Sequence, residues 1–470
     1  MTDLTAPLPL PTAAPLPPAH RLAPWIAEAR ALGKLALPLA VTQLAQMAVL
    51  TTDIIMLGRL GRTALASAAI GNTVFYFAWL FGLGPMSALA PMIAHALGAR
   101  AHALGEVRRI ARMGLWAILI MAPFMMIFLL FARPILLAAH QEPILAKGAG
   151  QFVAMLAIGL PFSLTYQGLR NVASALGHAR LALAVMGATI LFNMLGDYTL
   201  IFGHFGAPRL GIVGAGLATS ASFIFSALAM ATVIRFTPDL HRYRILRRFL
   251  RPAWAKLKEL FRLGAPIGIT ILFEAMMFNA MTLVMGTFGA EALAAHQVAL
   301  NFASITFMAP QGIGMAAAIR VGLAAGAEDY AGVRRAGYTA MAAASAVIGV
   351  CGVVMALWGA DIARLYISGR TVQDLAVIAL AVVFLKVAAA FQVFDAVQVV
   401  GAMALRGLKD ARAPMLLAGG SYWLAGAPMC IFLGVGLHMQ GLGVWIGLAF
   451  GLAVAAAAMS LRFAYLSRDG

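Results

Sequence analysis

Residues 34–66 read KLALPLAVTQLAQMAVLTTDIIMLGRLGRTALA, and residues 262–294 read RLGAPIGITILFEAMMFNAMTLVMGTFGAEALA. Shifted by 228 residues, the two stretches coincide. Pro38 falls on Pro266, Thr42 on Thr270, Gly58 on Gly286, Gly61 on Gly289, and Ala64-Leu65-Ala66 on Ala292-Leu293-Ala294. A two-residue gap then brings Val107-Arg108-Arg109 onto Val333-Arg334-Arg335, and LGHAR at 176–180 resembles LKDAR at 408–412. The chain is therefore a tandem repeat, and each repeat opens on a helix-length apolar run with a proline near its start. A proline there removes one backbone hydrogen bond and permits a bend.

The rest of the 470 residues extends the pattern. Hydrophobic residues make up 62% and charged residues 11%, and the mean hydropathy is +0.91. Such a chain lacks the charge to cover a soluble surface and is too apolar for disorder, so a soluble enzyme is excluded. Runs long enough to span a bilayer, about 20 residues each, fall near 36–59, 65–95, 112–135, 148–170, 181–203 and 210–234. They recur near 263–287, 292–319, 336–359, 376–404, 413–435 and 441–465. Strands of an outer-membrane barrel would alternate polar and apolar instead. The expectation is an all-α integral membrane protein of twelve transmembrane helices.

Basic residues test the count. With both termini placed in the cytoplasm, 26 of the 34 Lys and Arg fall on that side, 7 on the other, and Lys386 within a span. The bias matches the positive-inside rule and orients the chain. The net charge of +17 then reports orientation and lipid contact rather than nucleic-acid binding. Six spans per repeat is an even number, so both halves insert the same way up, as two six-helix lobes related by a pseudo-two-fold axis along the membrane normal. The expected divisions are a Pro-rich tail at 1–32, an N-lobe at 33–235, a basic cytoplasmic linker at 236–262, and a C-lobe with a short tail at 263–470. The tail has no positive n-region of a signal peptide; a docking segment for a proline-binding module is its other reading. The linker reads as an orientation signal or as a lipid-headgroup anchor. Cys351 and Cys430 lie in apolar stretches, which disfavours a disulfide scaffold.

Four acids lie well inside apolar runs: Asp53, Asp197, Glu274 and Asp395. A charge at bilayer depth costs about 2.5–3.5 kcal/mol on insertion scales, so these groups are expected to face a wet cavity, hold a cation or carry a proton. Asn193 and Asp197, four apart, share a helix face, and Thr219 can add an oxygen. Gln392, Asp395 and Gln398 form one polar stripe; Gln297 and Asn301 form another. Such stripes serve either function or interhelical hydrogen bonding. The 26 Met and 27 Phe either line a cavity for varied cations or pack helices. No Gly-x-Ser-x-Gly, His-Glu-x-x-His or intramembrane Ser/His pair suggests catalysis.

Several stretches resemble the multidrug and toxic compound extrusion (MATE) family, in its NorM-like branch. They are FEAMMFNAM around Glu274, AAHQVALNFASITFMAPQGIGMAAAIRVG at 294–322, FDAVQVVGAMALRG at 394–407, TTDIIMLGRLG around Asp53 and FGAPRLGIVGAGLATS at 205–220. The resemblance covers about residues 33–465. It implies two lobes around a central cleft and export of organic, often cationic, compounds against inward Na+ or H+, with no other cofactor. By motif it makes Asp53, Asn193, Asp197 and Thr219 an N-lobe cation cluster, suited to Na+, and Glu274 and Asp395 a C-lobe acidic pair. Substrate contacts are expected at Glu274, Asp395, Gln297, Asn301, Phe391 and Met277. The chain departs from the family in three places: Asp197 stands where close relatives often have Asn, Phe391 where a Tyr is common, and Lys386 where an apolar residue is expected. The expected setting is a bacterial-type inner membrane, with a monomer bound to lipids and small-molecule drugs. A lipid-linked glycan flippase of related architecture is the alternative; it would need basic cavity residues to meet phosphate, whereas the candidates here are acidic.

Overall fold

A computed structural model describes residues 23–100, 102–245, 249–367 and 369–468. Twelve helices in it are long and apolar enough to cross a membrane. They are α1 Ala23–Gly58, α2 Arg62–Gly98, α3 Ala103–Leu130, α4 Pro143–Ala175, α5 Ala179–Phe202, α6 Ile212–Phe236, α7 Trp254–Gly286, α8 Ala290–Gly326, α9 Tyr330–Leu357, α10 Val372–Gly407, α11 Arg412–Gly436 and α12 Gln440–Leu466. The chain is thus an all-helical, multi-pass membrane protein with the expected number of spans. The helices outrun the hydropathy runs mainly at the ends that carry the basic residues. Hydropathy stops at the first charge, whereas backbone hydrogen bonding continues past it.

α1 begins at Ala23, so residues 23–32, expected in the tail, are helical instead. The prolines end at Pro24, and the Ala, Glu and Arg that follow are good helix formers. Residues 1–22, and with them the proposed docking prolines, lie outside the described residues. Likewise α7 starts at Trp254, which shortens the expected linker. That linker is held down, since Arg108 donates to the Tyr243 carbonyl (2.7 Å) and Trp116 to that of Phe249 (2.9 Å).

The repeat is visible in detail. Thr42 donates to the Pro38 carbonyl (2.7 Å) and Thr270 to the Pro266 carbonyl (2.8 Å), so each hydroxyl occupies the backbone acceptor beside its helix proline. Gly61 and Gly289 precede α2 and α8 with φ of 117° and 105°, a region essentially open to glycine alone. Packing follows the same two-fold pattern. In the first half α4 lies between α2 and α6; in the second, α10 lies between α8 and α12. Across the halves α1 packs on α8, and α7 on α2. Two large apolar cores result, and Leu32, Ala36 and Leu39 of α1 belong to the one built by the second half. Leu257, Leu260 and Ile267 of α7 reciprocate in the other.

These crossings concentrate at one end of the bundle, the end with most of the basic residues. A Cβ at Gly98 would run into the Leu323 carbonyl, and one at Gly326 into the His95 carbonyl. The absent side chains let α2 and α8 touch backbone to backbone. Ion pairs cross the same end: Glu28 of α1 with Arg320 of α8, and Lys256 of α7 with Glu106 of α3 (3.0 Å). Lys256 also meets Glu259 (3.1 Å), which meets Lys409 (2.9 Å).

Candidate functional site

The acids form two sites. In the first, α1, α5 and α6 bring Asp53, Asn193, Asp197 and Thr219 together. Asp53 is 6% exposed, Asn193 and Asp197 0%. Thr219 Oγ1 donates to Asp53 Oδ2 (3.2 Å) and is shared with the Ala215 carbonyl (3.0 Å). Beyond that the cluster is short of partners. Among the described residues, Asp53 Oδ1, both oxygens of Asp197, and both amide atoms of Asn193 are buried without a hydrogen bond. Two adjacent carboxyls left so in an apolar interior repel one another and lose water's solvation. A cation or proton between them relieves both costs, and carboxylate, hydroxyl and amide oxygens are the ligands a hard cation takes. None of these four residues lines the central cavity.

The second site is that cavity, about 480 Å³, between the two halves. The helix phase of α7 explains its wall: Ile271, Glu274 and Phe278 face it, while Met277, Met281 and Met285 face the apolar core. Asp395 also lines it; it is 5% exposed, and its Oδ1 has no partner. Among the described residues none of the four intramembrane acids is in an ion pair. Phe391 adds an aromatic face, edge-on to Phe278 and Trp445. Tyr76, in the half of α2 away from the basic end, is also on the wall and is 46% exposed.

Other expected contacts lie elsewhere. Met277 is in the core, because its stripe on α7 is the one facing α10 and α12. Gln297 and Asn301 are exposed and outside the cavity; they continue the face of α8 carrying Ser304 and Met308 beyond its open side. Asn301 accepts from the Tyr366 hydroxyl (3.0 Å). Gln392, by contrast, lines the cavity and is also tied to the Ala303 carbonyl (2.8 Å) and Thr306 (2.6 Å), so it faces the cavity while hydrogen-bonding between helices. Lys386 is exposed, on the side of α10 away from Asp395.

Sequence reading missed three groups. Arg170 and Arg406, expected in or near cytoplasmic loops, line the cavity from the last turns of α4 and α10. The cavity is therefore not purely acidic, and the objection to a flippase based on that expectation falls. The signal was present: Gln167, Arg170, Asn171 and Ser174 share a helical face. Tyr422 is the third. Two π-helical segments in α11, at Gly420–Gly426 and Phe432–Gly436, shift its register, as such bulges do. The buried Tyr422 hydroxyl has no hydrogen-bond partner among the described residues and lies near Glu274, Asp395 and Arg406.

The family profile MatE matches residues 38–199 and 266–432, once in each half. A protein named probable multidrug resistance protein NorM from Mesorhizobium japonicum is 43% identical over 95% of both chains. One of the same name from Brucella suis is 40% identical over 92% of this chain and 91% of its own. Among solved structures, the eukaryotic MATE transporter AtDTX14 superposes with a TM-score of 0.81 at 24% identity, over 95% of this chain and 99% of that one. A multidrug resistance MATE transporter in an outward-facing conformation gives 0.84 at 20% identity, over 94% and 97%.

Proposed function

This chain belongs to the MatE family, and on that premise we propose that it is a multidrug antiporter, exporting organic, often cationic, compounds in exchange for inward Na+ or H+. The observation that carries the reading is a cavity lined from both repeats that holds two carboxyl groups, Glu274 and Asp395, neither in an ion pair among the described residues. Cation and drug bind there in turn, and the N-lobe cluster of Asp53, Asn193, Asp197 and Thr219 holds a coupling ion away from the drug's path. Coupling requires that the two conformations bind each species with different affinity.

The basic end is taken as the cytoplasmic side by the positive-inside rule, since most of the Lys and Arg between the spans belong to it. Closed at that end and open at the other, the structure is then the outward-facing state. The setting is a bacterial-type inner membrane, the carrier a monomer bathed in lipid, and each chain encloses its own cavity. Arg170 and Arg406 supply the positive charge that a lipid-linked glycan flippase needs. The acids on the opposite wall and the multidrug relatives favour export.

Drug resistance in cells expressing Glu274→Gln tests the reading. Resistance lost at unchanged expression supports it, and full resistance overturns it.

A further inference from the structure

Arg170 is 2% exposed, yet no carboxylate among the described residues lies within ion-pair distance of it. Its Nη1 donates to Gln43 Oε1 (2.7 Å) and Gln46 Oε1 (3.3 Å), its Nη2 lies 4.0 Å from Met315 Sδ, and its Nε has no partner at all. Neutral amides do not repay the desolvation of a guanidinium. If bridging two glutamines were the whole task, an uncharged residue would do it at far lower cost. Arg406, the other cation of the wall, also makes no ion pair among the described residues, but it lies in the group with Glu274, Asp395 and Tyr422. Arg170 is thus a buried positive group in the cavity wall with no carboxylate beside it among the described residues.

We propose that Arg170, framed by Gln43 and Gln46, is an anion half-site of the central cavity that takes the carboxylate of a zwitterionic amphiphile while Glu274 and Asp395 face its cationic end. The planar fork of Arg matches a carboxylate at two points. The volume, about 480 Å³, suits a drug-sized ligand that reaches both walls. Arg170 belongs to the first repeat and the acids to the second, so such a ligand bridges the two halves. The inference rests on the drug-export reading and narrows it: carboxylate-bearing zwitterions bind better than the matched cations in which that group is esterified.

The test is equilibrium binding to the purified full-length protein, with transport measured separately in proteoliposomes. The probes are rhodamine 110, which carries a free carboxyl, and rhodamine 123, its methyl ester. Wild type is expected to prefer the acid, and Arg170→Gln to lower the acid-to-ester affinity ratio by roughly tenfold or more, as for a lost two-point charge pair. Arg170→Lys keeps the charge without the fork and is expected to lower the ratio less; it carries the test if Arg170→Gln is not monodisperse. A ratio unchanged in both variants, or a wild type that binds the ester and not the acid, overturns the half-site and leaves export standing. Arg170-dependent binding with no ion-driven movement of either dye overturns the export reading and leaves the half-site standing.

Discussion

Glu28 and Arg320 are joined across the two halves by a two-point ion pair, Nε to Oε1 at 2.8 Å and Nη2 to Oε2 at 2.5 Å. Glu28 lies in the first turns of α1 and Arg320 near the end of α8, so the pair forms only while the basic end is shut. A charge-assisted contact of this kind, with Arg320 partly exposed, is worth about 1–2 kcal/mol. Glu28→Gln is expected to raise the fraction open at the basic end by roughly five- to thirtyfold. Spin labels at positions 100 and 328, two residues past the ends of α2 and α8, would report a longer distance. The exchange Glu28→Arg with Arg320→Glu should restore the short one. An unchanged distance distribution in Glu28→Gln removes the pair from the conformational equilibrium.

The backbone contact of α2 and α8 makes a steric counterpart. At Gly326 an added side chain has nowhere to go, because the His95 carbonyl occupies the space. Gly326→Val is expected to prevent closure of the basic end and to stop drug export, with the protein still inserted and monodisperse. The same labels should then show the open distance alone. Full export by this variant would show that closure does not need the contact.

In the N-lobe cluster, two buried carboxyls lie side by side with unpaired oxygens. Binding of an ion to the folded state alone raises stability by mass action. The wild-type melting temperature should therefore rise with Na+ at fixed pH or with proton concentration at fixed Na+. In Asp53→Asn with Asp197→Asn, that response should be lost, while the melting temperature without ions rises because the repulsion is gone. A double variant that keeps the wild-type ion response places the ion elsewhere.

The twelve spans and the duplication were legible because they depend on composition and on residues repeated at a fixed offset: Pro38 with Pro266, Thr42 with Thr270. The four acids were legible because charge amid hydrocarbon is rare. What a single chain does not carry is rotational phase against neighbours that fold in from elsewhere. Met277 sits three residues from Glu274, yet one faces the core and the other the cavity. Gln297 and Asn301 lie on the right face of α8 but beyond the cavity. Arg170 and Arg406 were assigned to the membrane surface because hydropathy ends a span at the first charge, although their helices carry them into the central space. Tyr422 reaches the acids through a π-helical segment that no periodic pattern announces.

On this reading, carboxyl groups in the membrane exchange a small cation for a drug. Ethidium flux in proteoliposomes, under separately imposed Na+ and pH gradients, tests it most directly. Wild-type protein should accumulate ethidium against its gradient when one of the two ions runs the opposite way, with saturable kinetics. Asp53→Asn and Asp395→Asn should each abolish that accumulation. Ethidium that merely equilibrates whatever the ion gradient, or uphill transport that survives both substitutions, would mean that these carboxyl groups do not couple ion and drug.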